Sequence, residues 1–265
     1  MQACWVVDVG LMGYPEAYAL QKRIVDARKS GRIEDVLLFC EHPHVITQGR
    51  NGKPEHLLAS ELILRQQGVE FFETSRGGDI TYHGPGQVVG YPILNLGAIR
   101  RDVAWYVHML EEAMIRTTAE FGIKAGRVAG RTGIWVGSGT SEEKLGAIGV
   151  HLSRWITSHG FAYNVSTDLG YFDWIVPCGI ADRKATSLEK LLGRSVALET
   201  VKPKLARYLA DVFGLDAQES SREKLMETLE TAETAANVAK ESVQGPAVGQ
   251  RETTKSETPV LLEKQ

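Results

Sequence analysis

Apolar and polar positions alternate along the chain in a way that divides it into short strands and amphipathic helices. Residues 4–9 form a first strand-like run. Residues 15–30 follow helical spacing, with Ala17, Leu20, Ile24 and Ala27 on one face, a proline in the first turn and Gly31 just past the end. DVLLFC at 35–40 predicts a short buried strand, and EHPHVITQGRN after it predicts a loop lining a cleft. Residues 57–67 predict a helix stopped by Gly68, and VEFFETS at 69–75 a strand. In RGGDITYHGPGQVVGYPILNL, residues 76–96, Gly77-Gly78 and Gly84-Pro85-Gly86 bracket the strand-like ITY and precede an apolar run, which predicts a hairpin.

The second half opens on the longest helical pattern, residues 102–121. Val103, Val107, Leu110, Met114 and Phe121 form its core face, and Gly122 lies past its end. Strands are predicted at 123–129, 132–137, 144–151 and 160–165, with the polar loop GSGTSEE after the second. Thr186-Ser187-Leu188-Glu189 has capping-box spacing for a short helix reaching Gly193, and a last helix is predicted over 200–213. After Phe213 there is no aromatic residue, and the chain turns to Glu, Thr, Ser, Ala, Lys and Gln. Such composition buries too little apolar area to order itself. The expected organisation is one folded body over residues 1–216 and a disordered tail over 217–265. The class is α+β, an antiparallel or mixed sheet flanked by helices.

Composition narrows the function classes. With 265 residues, 43% hydrophobic, 24% charged and a formal net charge of -3, the chain is globular and carries no electrostatic footprint for nucleic acid. No apolar run is long enough to span a bilayer, and the start MQACWVVDVG is no secretory signal. Cys4, Cys40 and Cys178 are too few and too scattered for a disulfide framework or a zinc site, so a reducing, cytoplasmic setting is expected. Cys4 and Cys40 sit in apolar runs and are assigned to the core. His42 and His44 flank Pro43, but no third ligand is near them, and no metal is expected.

Candidate chemistry concentrates in KLGAIGVHLSRWITSHGFAYNVSTDLGYFDWIVPCGI, residues 144–180. Cys178 lies between Pro177 and Gly179, which suits a thiol presented from a turn, although a free cysteine is more often a buried small hydrophobe. A nucleophilic cysteine needs thiolate character, and a neighbouring cation favours it; Lys144 is one candidate, and a solvated surface lysine is the alternative. Arg76, Asp79 and His83 stand between two glycine clusters whose backbone N–H groups can approach a ligand closely.

Taken together and in order, RGGDITYHGPGQVVGYPILNL, KLGAIGVHLSRWITSHGFAYNV and PCGI resemble the octanoyl-[acyl-carrier-protein]:protein N-octanoyltransferases of lipoate biosynthesis. The likeness spans roughly residues 5–213. It implies the fold shared with lipoate- and biotin-protein ligases, and an acyltransferase that moves an octanoyl or lipoyl group from acyl carrier protein to a lysine of a lipoyl domain. It implies Cys178 as the nucleophile carrying the acyl thioester and Lys144 as its proton-shuttling partner. The acyl pocket would be lined by Arg76, Gly77, Gly78, Asp79, Ile80, Thr81, Tyr82 and His83. Ala147, Ile148, Gly149, Gly160, Phe161 and Ala162 would complete it. Asp79 stands where relatives often carry Gln or Glu, and His151 where an arginine is common.

The implied partners are acyl carrier protein, the lipoyl domains of 2-oxoacid dehydrogenase E2 subunits and the glycine cleavage H protein. No nucleotide cofactor, nucleic acid or membrane is implied, and a monomer is expected. A basic rim of Arg127, Arg131 and Arg154 would meet the acidic surfaces of the partners. Three other readings compete: an ATP-dependent lipoate ligase of the same fold, a non-catalytic binder of lipoyl domains or acyl carrier protein, and a cysteine hydrolase using His83 or His159 as base.

Overall fold

The computed structural model describes residues 1–176 and 184–243. Strand β1 (Gln2–Leu11) leads through helix α1 (Tyr14–Lys29) into β2 (Asp35–Glu41), which pairs with β1 in parallel. A parallel pair needs a crossover connection, and α1 supplies it. Val36, Leu38 and Cys40 of β2 pack towards α1, while Leu37 and Phe39 enter the cluster on the opposite face. Burial on both faces explains why DVLLFC shows no polar alternation.

The main sheet continues from β2 through antiparallel neighbours: β6 (Gln87–Ile93), β10 (Ile156–Asn164), β9 (Glu143–Ser153), β8 (Arg131–Val136) and β7 (Ala125–Val128). The two-residue β11 (Lys184–Ala185) adds to β9 in parallel. Between β9 and β10, Arg154 and Trp155 both take left-handed φ values of 52° and 65°, as a two-residue hairpin turn with the right twist requires. Helices α4 (Val103–Ala119) and α6 (Leu198–Phe213) cover one face, where Leu110, Met114, Leu205 and Leu209 meet Phe39, Val88 and Tyr163. Asp102 caps α4 by accepting the Trp105 N–H. Helix α3 (Leu96–Ile99) is a single turn, and α5 (Leu188–Leu192) is capped by Ser187, one residue later than the spacing predicts.

On the other face α1 covers β1, β2 and β6. Further along, a second sheet takes over, in the order β4 (Glu70–Glu73), β3 (Val45–Gln48), β5 (Ile80–His83). With α2 (Glu61–Gln66) it encloses its own cluster of Ile46, Leu64, Val69, Ile80 and Tyr82. The predicted hairpin over 76–96 is therefore wrong: β5 pairs with β3, and β6 belongs to the main sheet. The turn at Gly84-Pro85-Gly86 carries the chain from one sheet to the other. The predicted loop over 41–51 likewise contains β3.

The tail expectation also fails over residues 217–243. Strand β12 (Leu215–Ser220) pairs in parallel with β1, and α7 (Arg222–Val243) lies against α1 and β1. Leu225, Leu229 and Ala232, spaced by four and three, are buried on one face of α7. Arg23–Glu233 and Arg222–Glu16 ion pairs tie α7 to α1. Three apolar residues suffice because the helix docks onto a surface that already exists; averaged over the polar segment, their signal vanishes. Residues 244–265 lie outside the described residues.

Candidate functional site

The sheet itself sets out the floor of a cavity. Strand register places Gln87 opposite Asn164, and Val89, Ala162 and Ala147 in one row. Gly160 and Gly149 face each other in the next row, with Tyr91 two residues on from Val89. Residues two apart share a face, so these rows line one surface with small side chains. Over it passes the segment from Arg76 onward, which is closed down by a hydrogen bond from Gly77 N to Val150 O of 2.8 Å. A Cβ on Gly149 would come within 2.9 Å of Arg76 Cδ and Gly77 O, so the close approach requires glycine there. The space left between is a cavity of about 450 Å³. Its volume and mixed lining suit a small or medium-sized ligand.

Lys144 reaches this cavity by an irregularity in β9. In an unbroken strand Lys144 and Ala147, three residues apart, would face opposite sides. Instead Ile134 pairs with Gly146 while Trp135 pairs with Lys144, leaving Leu145 as an extra residue. Leu145 joins the α4-side core, and a Cβ on Gly146 would meet Met114 and Ile134 on that same side. Lys144 and Ala147 consequently both line the cavity. Such a bulge re-aims a side chain. The Lys144 ammonium lies 4.7 Å from the centre of the Trp135 ring, in cation–π range.

The polar groups around the cavity are held in place. Arg76 donates through Nη2 to Thr47 O (2.6 Å) and Thr47 Oγ1 (3.0 Å). Asp79 accepts from Ile80 N at 2.7 Å, and its other oxygen lies 2.6 Å from His56 Nδ1. Burial drives the pKa of His83 down to about 3, helped by His42 and opposed by its hydrogen bond to Gln87. Burial, then Arg76, likewise lowers His159 to about 3. Both imidazoles are neutral at physiological pH. His159 takes a left-handed φ of 54°, uncommon for a residue other than glycine, and its N–H donates to Gln21 Oε1 at 2.8 Å.

Of the residues singled out in the sequence, Arg76, Gly77, Gly78, Asp79, Ile80, Thr81 and His83 line the cavity. So do Ala147, Ile148, Gly149, Gly160, Phe161, Ala162 and Lys144. Tyr82 does not. It points to the other face of β5, stacks on Tyr171 with centroids 4.8 Å apart, and bonds through its hydroxyl to His44 Nδ1. His42 and His44 do not line the cleft either: His42 is buried, bonding Met12 O and the Tyr91 hydroxyl. Arg131 is at the cavity, whereas Arg127 is bound by Glu111 and Glu112 and Arg154 sits at the β9–β10 turn. Among the described residues no cluster of three or more metal-ligating side chains occurs. Cys178 lies outside the described residues. The residues on either side are anchored: Val176 N donates to His56 O, and Lys184 and Ala185 pair with Glu143 and Lys144.

Sequence reasoning missed Gln87, Tyr91, Trp135 and Asn164, all of which line the cavity. The period-two spacing of Gln87, Val89 and Tyr91 on one strand was the available signal.

Comparison with known proteins gives the family and the fold. Residues 13–210 match the lipoyl protein ligase A/B catalytic domain family. An octanoyltransferase of Solibacter usitatus is 51% identical over 216 residues, covering 82% of this chain and 96% of that protein. One of Acidobacterium capsulatum is 52% identical over 220 residues, covering 79% and 89%. Among solved structures, a bipartite lipoate protein ligase of Thermoplasma acidophilum superposes with a TM-score of 0.68 at 16% identity, covering 87% of this chain and 92% of that one. At that identity the likeness shows the fold, a mixed sheet flanked by helices. The chain belongs to the octanoyltransferases, acyltransferases of lipoate biosynthesis built on the lipoyl protein ligase A/B catalytic domain.

Proposed function

We propose that the protein transfers an octanoyl group from acyl carrier protein to a lysine of a lipoyl domain, through a thioester on Cys178 and without nucleotide. The observation that carries this reading is the β9 bulge, which turns Lys144 into the same cavity as the glycine-rich wall. An amine in a cavity floored by Val89, Ala147 and Ala162 suits an apolar acyl chain whose reactive end meets a proton carrier.

Cys178, held as a thiolate by the neighbouring Lys144 ammonium, attacks the thioester carbonyl. Collapse of the tetrahedral intermediate breaks the original C–S bond, and the leaving phosphopantetheine thiolate takes a proton from Lys144. The acceptor amine then attacks the enzyme thioester, Lys144 takes up its surplus proton, and Cys178 leaves as thiolate, which restores the starting pair. Backbone N–H groups of the glycine-bearing segments supply oxyanion donors. The acceptors are lipoyl domains of 2-oxoacid dehydrogenase E2 subunits and the glycine cleavage H protein. Among the described residues no helix is long and apolar enough to cross a membrane.

Intact mass spectrometry of the protein mixed with octanoyl-acyl carrier protein, without nucleotide, tests this. The expected result is one added octanoyl group that hydroxylamine removes and Cys178→Ser lacks. Octanoylation of a lipoyl domain only from free octanoate with ATP and magnesium would replace the transferase reading by a ligase.

A further inference from the structure

Along the cavity wall runs a line of hydrogen bonds whose directions are all determined. The Thr186 carbonyl can only accept, so Asn164 must donate to it through Nδ2, at 2.9 Å. That fixes Asn164 Oδ1 towards Gln87, whose Nε2 donates to it at 2.9 Å and also to Tyr82 O. Gln87 Oε1 therefore faces His83 Nδ1 at 2.7 Å, and the imidazole proton resides on Nδ1. His83 Nε2 is left bare and approaches Thr47 Oγ1 at 3.5 Å; that hydroxyl already accepts from Arg76 and keeps its own hydrogen for the imidazole. At the other end Thr186 N donates to Lys144 O at 2.9 Å, next to the Ala185–Lys144 pairing. Thr186 is held at both its N–H and its carbonyl, one by Lys144 and the other by Asn164.

We propose that Asn164 is a positioning residue for octanoyl transfer, fixing Lys144 and β11 against the cavity wall through Thr186. The inference rests on the role given to Lys144 above. Asn164, Gln87, Thr47 and Thr186 are all buried, so water does not readily replace a broken link. The relay also makes the wall one unit. Arg76 on the roof and Lys144 on β9 are joined through Thr47, His83, Gln87, Asn164 and Thr186, so a shift at either end loads the same chain of bonds.

Asn164→Asp tests this, because it keeps the shape but turns the donor into an acceptor facing a carbonyl. Transfer from octanoyl-acyl carrier protein to a lipoyl domain is measured for this variant, Asn164→Ala and the unchanged protein. At about pH 8 both variants are expected to lose about tenfold to hundredfold in kcat, with KM changed far less, as a small misplacement of a reacting group does. On acidification the new carboxyl, its pKa raised by burial, regains an O–H donor, so the deficit of Asn164→Asp narrows while that of Asn164→Ala does not. The other titratable or charged groups lining this cavity are Tyr14, Arg76, Asp79, His83, Tyr91, Arg131, Lys144, His159 and Lys184, present in all three proteins. If Asn164→Asp does not fold, Gln87→Glu carries the same loss and the same acid rescue. Full kcat in Asn164→Asp at about pH 8, or a deficit that follows Asn164→Ala at every pH, would overturn the proposal. The intact-mass experiment on the unchanged protein stands apart: transfer without an enzyme adduct would sink the thioester while leaving the Asn164 comparison readable.

Discussion

Phe161 lies with its ring across Gly90 on the neighbouring strand, so close that a Cβ on residue 90 would come within 2.3 Å of the ring. The ring is 2% exposed and belongs both to the α4-side core and to the cavity wall. Gly90→Ala is therefore expected to cost about 1–3 kcal/mol, as overpacking does, read as a lower denaturant midpoint at constant slope. The displaced ring also reshapes the cavity, so the preferred acyl chain length is expected to change. A variant with unaltered midpoint and chain-length profile would show that the core gives way at no cost.

Removing the amine at position 144 is expected to stop chemistry rather than folding. Lys144→Met keeps an unbranched apolar side chain beside Trp135 and loses the ammonium. Octanoyl transfer is expected to fall about 10²–10⁴-fold, the usual contribution of a positioned acid–base group, while the melting temperature changes little. Near-normal turnover in Lys144→Met would remove the lysine from the mechanism.

Acid is expected to destabilise the fold before it protonates the buried histidines. Burial holds His42 at about 4, and His83 and His159 at about 3, against roughly 6.5 in an unfolded chain. Above about pH 6.5 both states are neutral and the contribution to stability is complete. Below it the unfolded chain binds protons that the folded protein refuses, so stability falls by about 1.4 kcal/mol per pH unit for each histidine until its folded pKa is reached. Thermal melts between about pH 8 and 4 check this, with a plateau above about 6.5 and a steep decline below it. His159→Asn, which tolerates the left-handed backbone, is expected to make the decline shallower.

Helix α7 should matter to stability and not to transfer. Leu229 is 0% exposed, and Leu229→Ala is expected to cost about 2–5 kcal/mol in urea unfolding. With saturating substrates at low temperature, kcat should remain that of the unchanged protein. A parallel loss of kcat would tie α7 to the active site.

A buried ion pair offers a sharper stability test. Arg28 Nε donates to Asp35 Oδ1 at 2.7 Å, and Asp35 is completely buried, its pKa raised by that burial. Arg28→Met is expected to cost about 3–5 kcal/mol by leaving the carboxylate without its cation. Restoration by Asp35→Asn in the same chain would identify the stranded charge as the cause.

The helices and main strands were legible because their apolar spacing reports burial directly, as in α1 and β2. The glycine-bearing walls were legible as runs, since residues such as Gly77 and Gly149 are forced by close backbone approach. Partnership was not: nothing local to ITYH says that it pairs with VITQ rather than with QVVGYPI. The same gap hid Gln87 and Asn164, which are ordinary strand residues until register sets them opposite each other. Tyr82 was misplaced for a simpler reason, because a contiguous motif was read as one surface although alternate residues of a strand face opposite ways. The docking of α7 escaped because Leu225, Leu229 and Ala232 are diluted by a polar segment.

The bulge at Leu145 makes the spacing between the lysine and the cavity wall a matter of counting. Loss of Leu145 would leave Lys144 two residues before Ala147, where regular alternation keeps both on the cavity side, and would cost the leucine that the extra residue buries against α4. Loss of Gly146 as well would set Lys144 next to Ala147 and turn the ammonium to the opposite face. A loss in GSGTSEE, a few positions earlier, would shorten an exposed turn and leave the amine in place. Chains descended from a common ancestor should therefore carry this lysine two or three residues before the alanine and never beside it.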